Sequence, residues 1–496
     1  MMLPKTTQNG QLPPDLVFGY VSARSEGGTP MTEAVDLTSA APFRASESIR
    51  ARAKERAEEA GLTVTAESRL GFTVYGSPAA YEQLTGGRVT SYEALQHVSI
   101  GRRRYVTHLD LEGPGQPEAR GVGAAPDADD IEAVVLEQPR SCYRLSPSPQ
   151  PPNVTKFHLR LPGDVAMLLG ATAAHGQGAV GAGVDVAMVD TGHYRHPFFT
   201  LQGYDVDPVV TVVPGTSPAK DPIGHGTGES ANIFAVAPGA KLKFFRASDA
   251  SGNLTSAVAG FLKAKAAHPR VLTNSWGGDL DFPPLSAQPP AASRVWILEI
   301  KDAVEKGIVV VFSAGNGHFS VEPQVPGVIA AGGVFVDRGL GIQASDYASG
   351  YASPWFPGEV VPTVCGLVGM LPRAQYLMLP VQPGCELDVE QSQASDGQMP
   401  DTPDGTAVDD AWALFSGTSA AAPQIAGAAA VLLGQNGRPN MTVEQVTEAL
   451  VKTATDVTAG HNHPRFNNPA GPGPDKATGP GLANVSAALA FAKANF

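Results

Sequence analysis

Hydrophobic and polar positions follow two rhythms along this chain. Up to about residue 98, short alternating runs are separated by charged helical stretches. Leu16, Phe18 and Tyr20 share one side of a strand pattern. Glu47 to Ala60 reads as a charged helix closed by Gly61, and Leu62, Val64 and Ala66, then Leu70, Phe72 and Val74, alternate again. Ser77-Pro78 supplies an N-cap and a proline in the first turn for a short helix through Leu84. A last strand ends near Val98.

Strand, helix, strand, strand, helix, strand is the order of a small ferredoxin-like α+β module. Pro147, Pro149, Pro151 and Pro152 in RLSPSPQPPN then predict an extended, exposed linker. The expected division is residues 1–145 for the module and its trailing segment, 146–160 for the linker, and 161–496 for a second domain. There the rhythm changes. VDVAMVD (184–190), KLKFF (241–245), VLTNS (271–275), IVVVFSAGN (308–316) and VIAAGGVFV (328–336) are apolar runs separated by helical patterns. In one helix Trp296, Ile297, Ile300, Ala303 and Val304 share a face, and Gly307 closes it. Strands buried on both faces and alternating with helices predict a three-layer α/β/α domain with a mainly parallel sheet. Three stretches rich in Pro, Gly and Asp interrupt it as surface loops: 281–292, the acidic 385–410, and 460–481.

Composition narrows the functional classes. Thirty-five Lys and Arg against 48 Asp and Glu give a net charge of −13, with no basic block, which argues against nucleic-acid binding. The N-terminus has no basic start followed by an apolar core, and no stretch reaches about 18 apolar residues, so neither a signal peptide nor membrane association is expected. The three cysteines, Cys142, Cys365 and Cys385, lack metal-ligand spacing. They fit a reducing compartment and a cytoplasmic location, with one Cys365–Cys385 bridge left open. His461 and His463 lack a second ligand pair nearby.

Ligands in open parallel sheets sit beyond the carboxyl ends of the strands, so polar residues just after the apolar runs are the candidates. Asp190 ends VDVAMVD before a Thr191-Gly192 turn, and His225 lies between glycines in GHGTG. Asn316 ends IVVVFSAGN, and Ser419 opens the alanine-rich helix in FSGTSAAAPQIAG (415–427). Ser416, Thr418 and Ser419 could each do no more than cap that helix. A serine hydroxyl becomes nucleophilic only beside an imidazole, which in turn needs a carboxylate to fix its tautomer. The residue types for all three roles are present, and Asn316 adds an amide able to meet a developing oxyanion.

VAMVDTG (186–192), GHGTG (224–228), VLTNSWGG (271–278), FSAGN (312–316), SGTSAAAPQIAG (416–427) and TGPGLANVSAAL (478–489) resemble the subtilisin-like serine proteases, in the family's order. The resemblance implies Ser419 as nucleophile, His225 as base then acid, Asp190 as orienting carboxylate and Asn316 as oxyanion donor. It implies Ser275, Trp276 and Gly277 as the strand that pairs with substrate backbone, and Ser313, Ala314 and Gly315 as a wall of the specificity pocket. The substrate is then a peptide or protein. The N-terminal module is similar, by position and element order, to the propeptides of these proteases, and so an intramolecular chaperone or inhibitor. An unrelated accessory domain is the alternative. The sedolisins share the fold but resemble this chain less. Their base is a glutamate and their oxyanion group an aspartate, where this chain has His225 and Asn316.

Departures from the family carry their own expectations. GESANIFAVAPGAKLKFF follows GHGT directly, so the family's usual calcium loop is not expected here; no required cofactor is expected, and calcium stays open as an alternative. Glu229, four residues after His225, shares its helix face and reads either as a carboxylate that tunes the imidazole or, as expected here, a solvent-facing one. His193 and His196 are not expected to be the base. Asn316 and Ser419 are 103 residues apart, with the acidic stretch between them restricting access. A serine endopeptidase is the leading reading. A catalytically silent, peptide-binding relative is the competing one.

Overall fold

The computed structural model describes residues 13–99, 102–113, 121–125, 128–142, 147–148, 156–393, 403–406 and 409–496, with backbone alone at 95–99, 102–104, 141–142 and 147–148. The N-terminal part comprises β1 (Val17–Ala23), α1 (Glu47–Glu59), β2 (Thr63–Glu67), β3 (Gly71–Gly76), α2 (Pro78–Thr85), β4 (Arg88–Ser99), β5 (Arg102–Glu112), β6 (Val122–Gly123) and β7 (Ile131–Leu136). Ser46 caps α1 by accepting the Ile49 N–H at 3.4 Å, and Ala53 and Ala57, four apart, turn its small apolar face inward. Ser77 occupies the N-cap position of α2, but its hydroxyl makes no capping bond; Pro78 alone sets the first turn.

The sheet order is β2-β3-β1-β7-β6, all antiparallel, so the ferredoxin-like arrangement is present with a different fourth strand. The segment ending near Val98 is not in this sheet. It forms β4, paired with β5 as a separate long hairpin. The place beside β1 is interior and demands apolar residues on both faces. β7, Ile-Glu-Ala-Val-Val-Leu, is buried at five of six positions, whereas β4 carries Arg88, Thr90 and Glu93, and from Arg88 to Ala94 only Val89 is buried.

The second domain is built on β9 (Asp185–Asp190), β10 (Lys241–Arg246), β11 (Val271–Asn274), β13 (Val309–Ser313), β14 (Ile329–Val336), β15 (Ile342–Ala344) and β16 (Val364–Leu367), with β8 (Ser141–Cys142) and β12 (Trp276–Gly277) forming a separate pair. The order β10-β9-β11-β13-β14 is parallel throughout; β15 joins antiparallel and β16 parallel to β14. Four helices bear on the site: α3 (His225–Val236), α4 (Ala257–Ala266), α5 (Ala291–Glu305) and α6 (Thr418–Leu433). Gly226 of α3 abuts Asp190, whereas Gly260 of α4 abuts Val189. Neighbouring strand residues point to opposite faces, so α3 and α4 cover opposite sides of the sheet. The helix α6 is buried along its whole length and packs on α3.

The Pro-rich stretch does not run free at its described ends. Pro147–Ser148 pairs with Trp412–Phe415, and Leu159–Arg160 pairs with Leu377–Pro380. Residues 143–146 and 149–155 lie outside the described residues. The acidic stretch is likewise packed where it is described. Glu386–Ser392 is a helix whose Asp388 is fully buried and accepts the Gly384 and Ala411 N–H groups at 2.7 and 3.3 Å. Its residues 394–402 and 407–408 lie outside the description.

Candidate active site

The adjacent parallel strands β9, β11 and β13 end together, which brings Asp190, Ser275 and the Ser313–Asn316 turn to one edge of the sheet. Asp190 Oδ1 accepts His225 Nδ1–H at 2.8 Å and the Thr191 N–H at 2.7 Å. His225 is the first residue of α3. It is reached through Gly224, whose φ of +90° is a left-handed conformation that L side chains rarely adopt. A Cβ on Gly226 would lie 2.3 Å from the Gly192 carbonyl, so the glycines allow α3 to dock against the Asp190 turn.

Asp221, which the sequence reading passed over, locks this corner. It is fully buried and accepts four hydrogen bonds, from Thr191 Oγ1, the Gly224 and Thr227 N–H groups and Thr227 Oγ1, at 2.7–3.0 Å. Its signal was an aspartate four residues before the histidine, but Asp-Pro in KDPIGHGTG reads as an ordinary turn.

Ser419 lies in the first turn of α6, where its backbone N–H has no partner within the helix. Pro423, four residues on, supplies no N–H to the Ser419 carbonyl, and the Ser275 hydroxyl fills that place at 2.8 Å. In return Ser419 Oγ donates to the Ser275 carbonyl at 3.2 Å. Thr418 donates through its N–H and hydroxyl to Asn316 Oδ1 at 2.8 and 3.1 Å. That fixes the amide so that Asn316 Nδ2 faces the other way, buried and without a hydrogen-bond partner. The Thr418 hydroxyl also accepts the Gly315 N–H at 3.0 Å, and Ser416 accepts that of Gly369 at 2.8 Å, so both keep structural roles.

Burial alone would lower the His225 pKa, but the charge and hydrogen bond of Asp190, with Glu229 and Asp221 beyond, raise it to about 9. Nε2 has no hydrogen-bond partner, and Ser419 does not bond to it in this form. Glu229 is not solvent-facing, as the helix pattern led us to expect: it is 0% exposed, with Oε1 3.9 Å from His225 Nε2. The reason is that α3 is buried on every side, between the sheet and α6. Burial raises the Glu229 pKa to about 8, against the pull of His225.

The strand β12 already has a partner within the chain. β8 pairs antiparallel with β12 in the register Trp276↔Cys142 and Gly277↔Ser141. Just before β8, the Arg140 guanidinium lies over the Trp296 and Trp276 rings at 5.2 and 6.0 Å, with Glu137 at 3.1 Å and Glu322 at 3.7 Å. The Trp276 indole is buried and donates to the Val189 carbonyl at 2.8 Å, so this residue offers its backbone to the partner strand. Ser313, Ala314 and Gly315 are buried beside it.

The other histidines stand apart. His193 packs between Phe199 and Phe244, and His196 caps Pro197–Gln202 by accepting the Phe198 N–H at 3.0 Å. His461 and His463 each bond to nearby backbone, and among the described residues no His, Cys, Asp and Glu cluster could hold a metal ion. Cys365 and Cys385 are buried and unbridged.

A parallel α/β/α sheet with a carboxylate, an imidazole, a serine and a free amide gathered at its carboxyl edge is the arrangement of a serine hydrolase. Residues 181–479 match the model of the subtilase family, more than half of the chain. The chain belongs to that family and is a subtilisin-like serine protease. It is 27% identical to Subtilisin Savinase of Lederbergia lenta over 302 residues, 58% of this chain and 89% of that one. Against the alkaline protease of Alkalihalobacillus alcalophilus it is 27% identical over 302 residues, covering 63% of the relative. Against Subtilisin E of Bacillus subtilis it is 28% identical over 298 residues, covering 64% of the relative. It thus spans just under two thirds of these last two. The fold is similar to that of fervidolysin from Fervidobacterium pennivorans, a keratinolytic enzyme related to subtilisin, with a TM-score of 0.55 at 20% identity, covering 97% of this chain and 62% of that one.

Proposed function

We propose that this chain is a serine endopeptidase that cleaves extended polypeptide through an acyl-enzyme on Ser419, and that its own N-terminal module is its intramolecular inhibitor. The observation that carries the reading is the Asp190–His225 hydrogen bond at the same sheet edge as Ser419 and the unpaired Asn316 amide. In the reaction the Ser419 hydroxyl turns from the Ser275 carbonyl to Nε2 and gives up its proton there while Oγ attacks the scissile carbonyl carbon. Asp190 holds the tautomer and stabilises the imidazolium. Asn316 Nδ2 and the Ser419 N–H are the donors for the carbonyl oxygen as it becomes negative. Transfer of the proton to the leaving amine completes C–N cleavage and leaves an ester on Ser419. Water, deprotonated by the same imidazole, then hydrolyses it. No cofactor enters this scheme, and weak or absent calcium dependence and a cytoplasmic location remain part of the reading.

Inhibition by the module is supported by the β8–β12 pairing, since an extended segment already bonded to Trp276 and Gly277 denies that backbone to a substrate. A silent, peptide-binding protein is the second reading, favoured by one feature: Ser419 Oγ bonds to the Ser275 carbonyl rather than to His225. A fluorophosphonate probe separates the two. The expected result is an adduct on Ser419 that is lost in Ser419→Ala and His225→Ala. No adduct, even after removal of residues 1–150, would favour the silent reading.

A further inference from the structure

Glu229 lies one turn below His225 on α3 and is wholly enclosed. Its Oε2 accepts Asn232 Nδ2–H at 3.1 Å, while Oε1 is buried with no hydrogen-bond partner, 3.9 Å from His225 Nε2. The surrounding amides fix this direction. Gln424 on α6 accepts the Leu367 N–H through Oε1 at 2.7 Å, so its Nε2 must face Asn232, to whose Oδ1 it donates at 3.1 Å. The Asn232 amide nitrogen is therefore turned on Glu229, and a carboxyl oxygen is the group it meets. The titratable groups facing His225 are Asp190 at the end of β9, Asp221 in the preceding loop and Glu229 on its own helix, and the Cys385 thiol packs beyond Gly224. No Lys or Arg pairs with Glu229 among the described residues. A charged carboxylate at full burial costs several kcal/mol unless it is paired, and among the described residues the imidazolium is the cation that acts on it.

We propose that Glu229 is a positioning residue that competes with Ser419 for His225 Nε2. When the imidazole carries a proton on Nε2, the Glu229 carboxylate holds it and the nitrogen is closed to the serine hydroxyl. When that proton leaves to water, Nε2 becomes the acceptor that Ser419 requires. The same carboxylate stabilises the imidazolium that forms during acyl transfer, adding to Asp190 from the other ring nitrogen. Glu229 thereby sets the pH at which the base becomes available and links α3, through Asn232 and Gln424, to the helix that carries Ser419. This inference rests on the proposed role of His225, but its primary test does not need turnover.

The test is the NMR titration of the His225 ring in the full-length Ser419→Ala chain, with and without Glu229→Gln. Loss of the carboxylate charge is expected to lower the His225 midpoint by about one pH unit or more, tenfold in its acid constant. The acid limb of kcat/KM in the otherwise unsubstituted enzyme should move the same way. Glu229→Val, which removes charge and amide alike, should repeat the shift. If either variant, folded by its melting curve, keeps the parental midpoint, Glu229 only fills space and the proposal is wrong. Inactivity of the parent chain together with a shifted midpoint would overturn the protease reading and leave the coupling standing.

Discussion

The catalytic cleft and the face on which the N-terminal module docks are both polar and both buried, yet they are built in opposite ways. At the cleft, each polar residue sits at the end of a strand or the start of a helix, and its partners belong to the same domain: Asp190 with His225, Ser419 with Ser275, Thr418 with Asn316. On the docking face the charges lie inside helices, Lys265 in the last turn of α4 and Glu299, Asp302 and Glu305 in the second half of α5, and are satisfied from both sides. Lys265, 1% exposed, pairs with Glu299 and with Asp302 at 3.1 Å. The module then adds hydroxyls from Tyr20 and Ser68 to Glu299, Arg69 to Asp302, and the Ala40 N–H and Arg44 to Glu305. The cleft side chains named here take their partners from their own domain, whereas the docking face takes hydrogen bonds from the module.

The comparison is tested most severely at the cleft. Ser419→Ala and His225→Ala should each cost roughly 10⁶-fold in turnover and Asp190→Ala roughly 10⁴-fold, on the scale known for subtilisin. Asn316→Ala should cost about 10²–10³-fold through loss of the Nδ2 donor, and it also removes the acceptor of the two Thr418 bonds. None of these changes should alter docking, so the full-length Ser419→Ala chain should melt as the unprocessed parent does. A large fall in its melting temperature would mean that the two regions are not independent.

That difference also explains what could be read in the sequence. Asp190, His225, Asn316 and Ser419 sit at element ends, where a strand pattern breaks into Gly, Ser or Thr; local pattern marks them as candidates, and the family resemblance singles out Ser419 among three hydroxyls. The parallel sheet was legible for the same reason, since its strands are apolar on both faces. Lys265, Glu299 and Asp302 look like the solvated charges of amphipathic helices, and their partners come from another helix and from a module more than 150 residues away in sequence. Glu229 was misjudged likewise, because one helix face cannot reveal that α3 is enclosed all round. The fourth module strand was missed because β4 alternates as a strand should, yet its sheet neighbour is β5; pairing is a tertiary choice that alternation does not encode.

Lys265 offers a sharper test of the docking face. Removing one partner from a buried ionic cluster leaves uncompensated charge, at a cost of about 3–5 kcal/mol. Lys265→Met should therefore lower the stability of the full-length chain by an amount near that range, read by denaturant unfolding. Arg69→Ala removes a half-exposed partner from the module side and should cost less. Turnover by the released catalytic domain should not change in Arg69→Ala, since that residue departs with the module.

The smallest effect expected is a pH dependence of docking itself. Glu137 accepts the Val258 N–H at 3.1 Å at the start of α4, and its side chain is buried there. Burial raises its pKa from 4.5 to about 7, with Arg140 and the backbone bonds to Val258 and Ala257 opposing. A carboxyl whose pKa is higher when docked binds its proton more tightly in that state. Its contribution to docking is therefore complete below about 4.5 and is lost as pH rises through about 7. Glu322 is raised by burial as well, with Arg140 pulling it down. The melting temperature of the full-length Ser419→Ala chain should accordingly fall between pH 5 and 8, and adding Glu137→Gln should flatten part of that slope while Glu322 retains the rest. Equal slopes in the two chains would show that Glu137 is already ionised in the docked state and that its bond to α4 outweighs its burial.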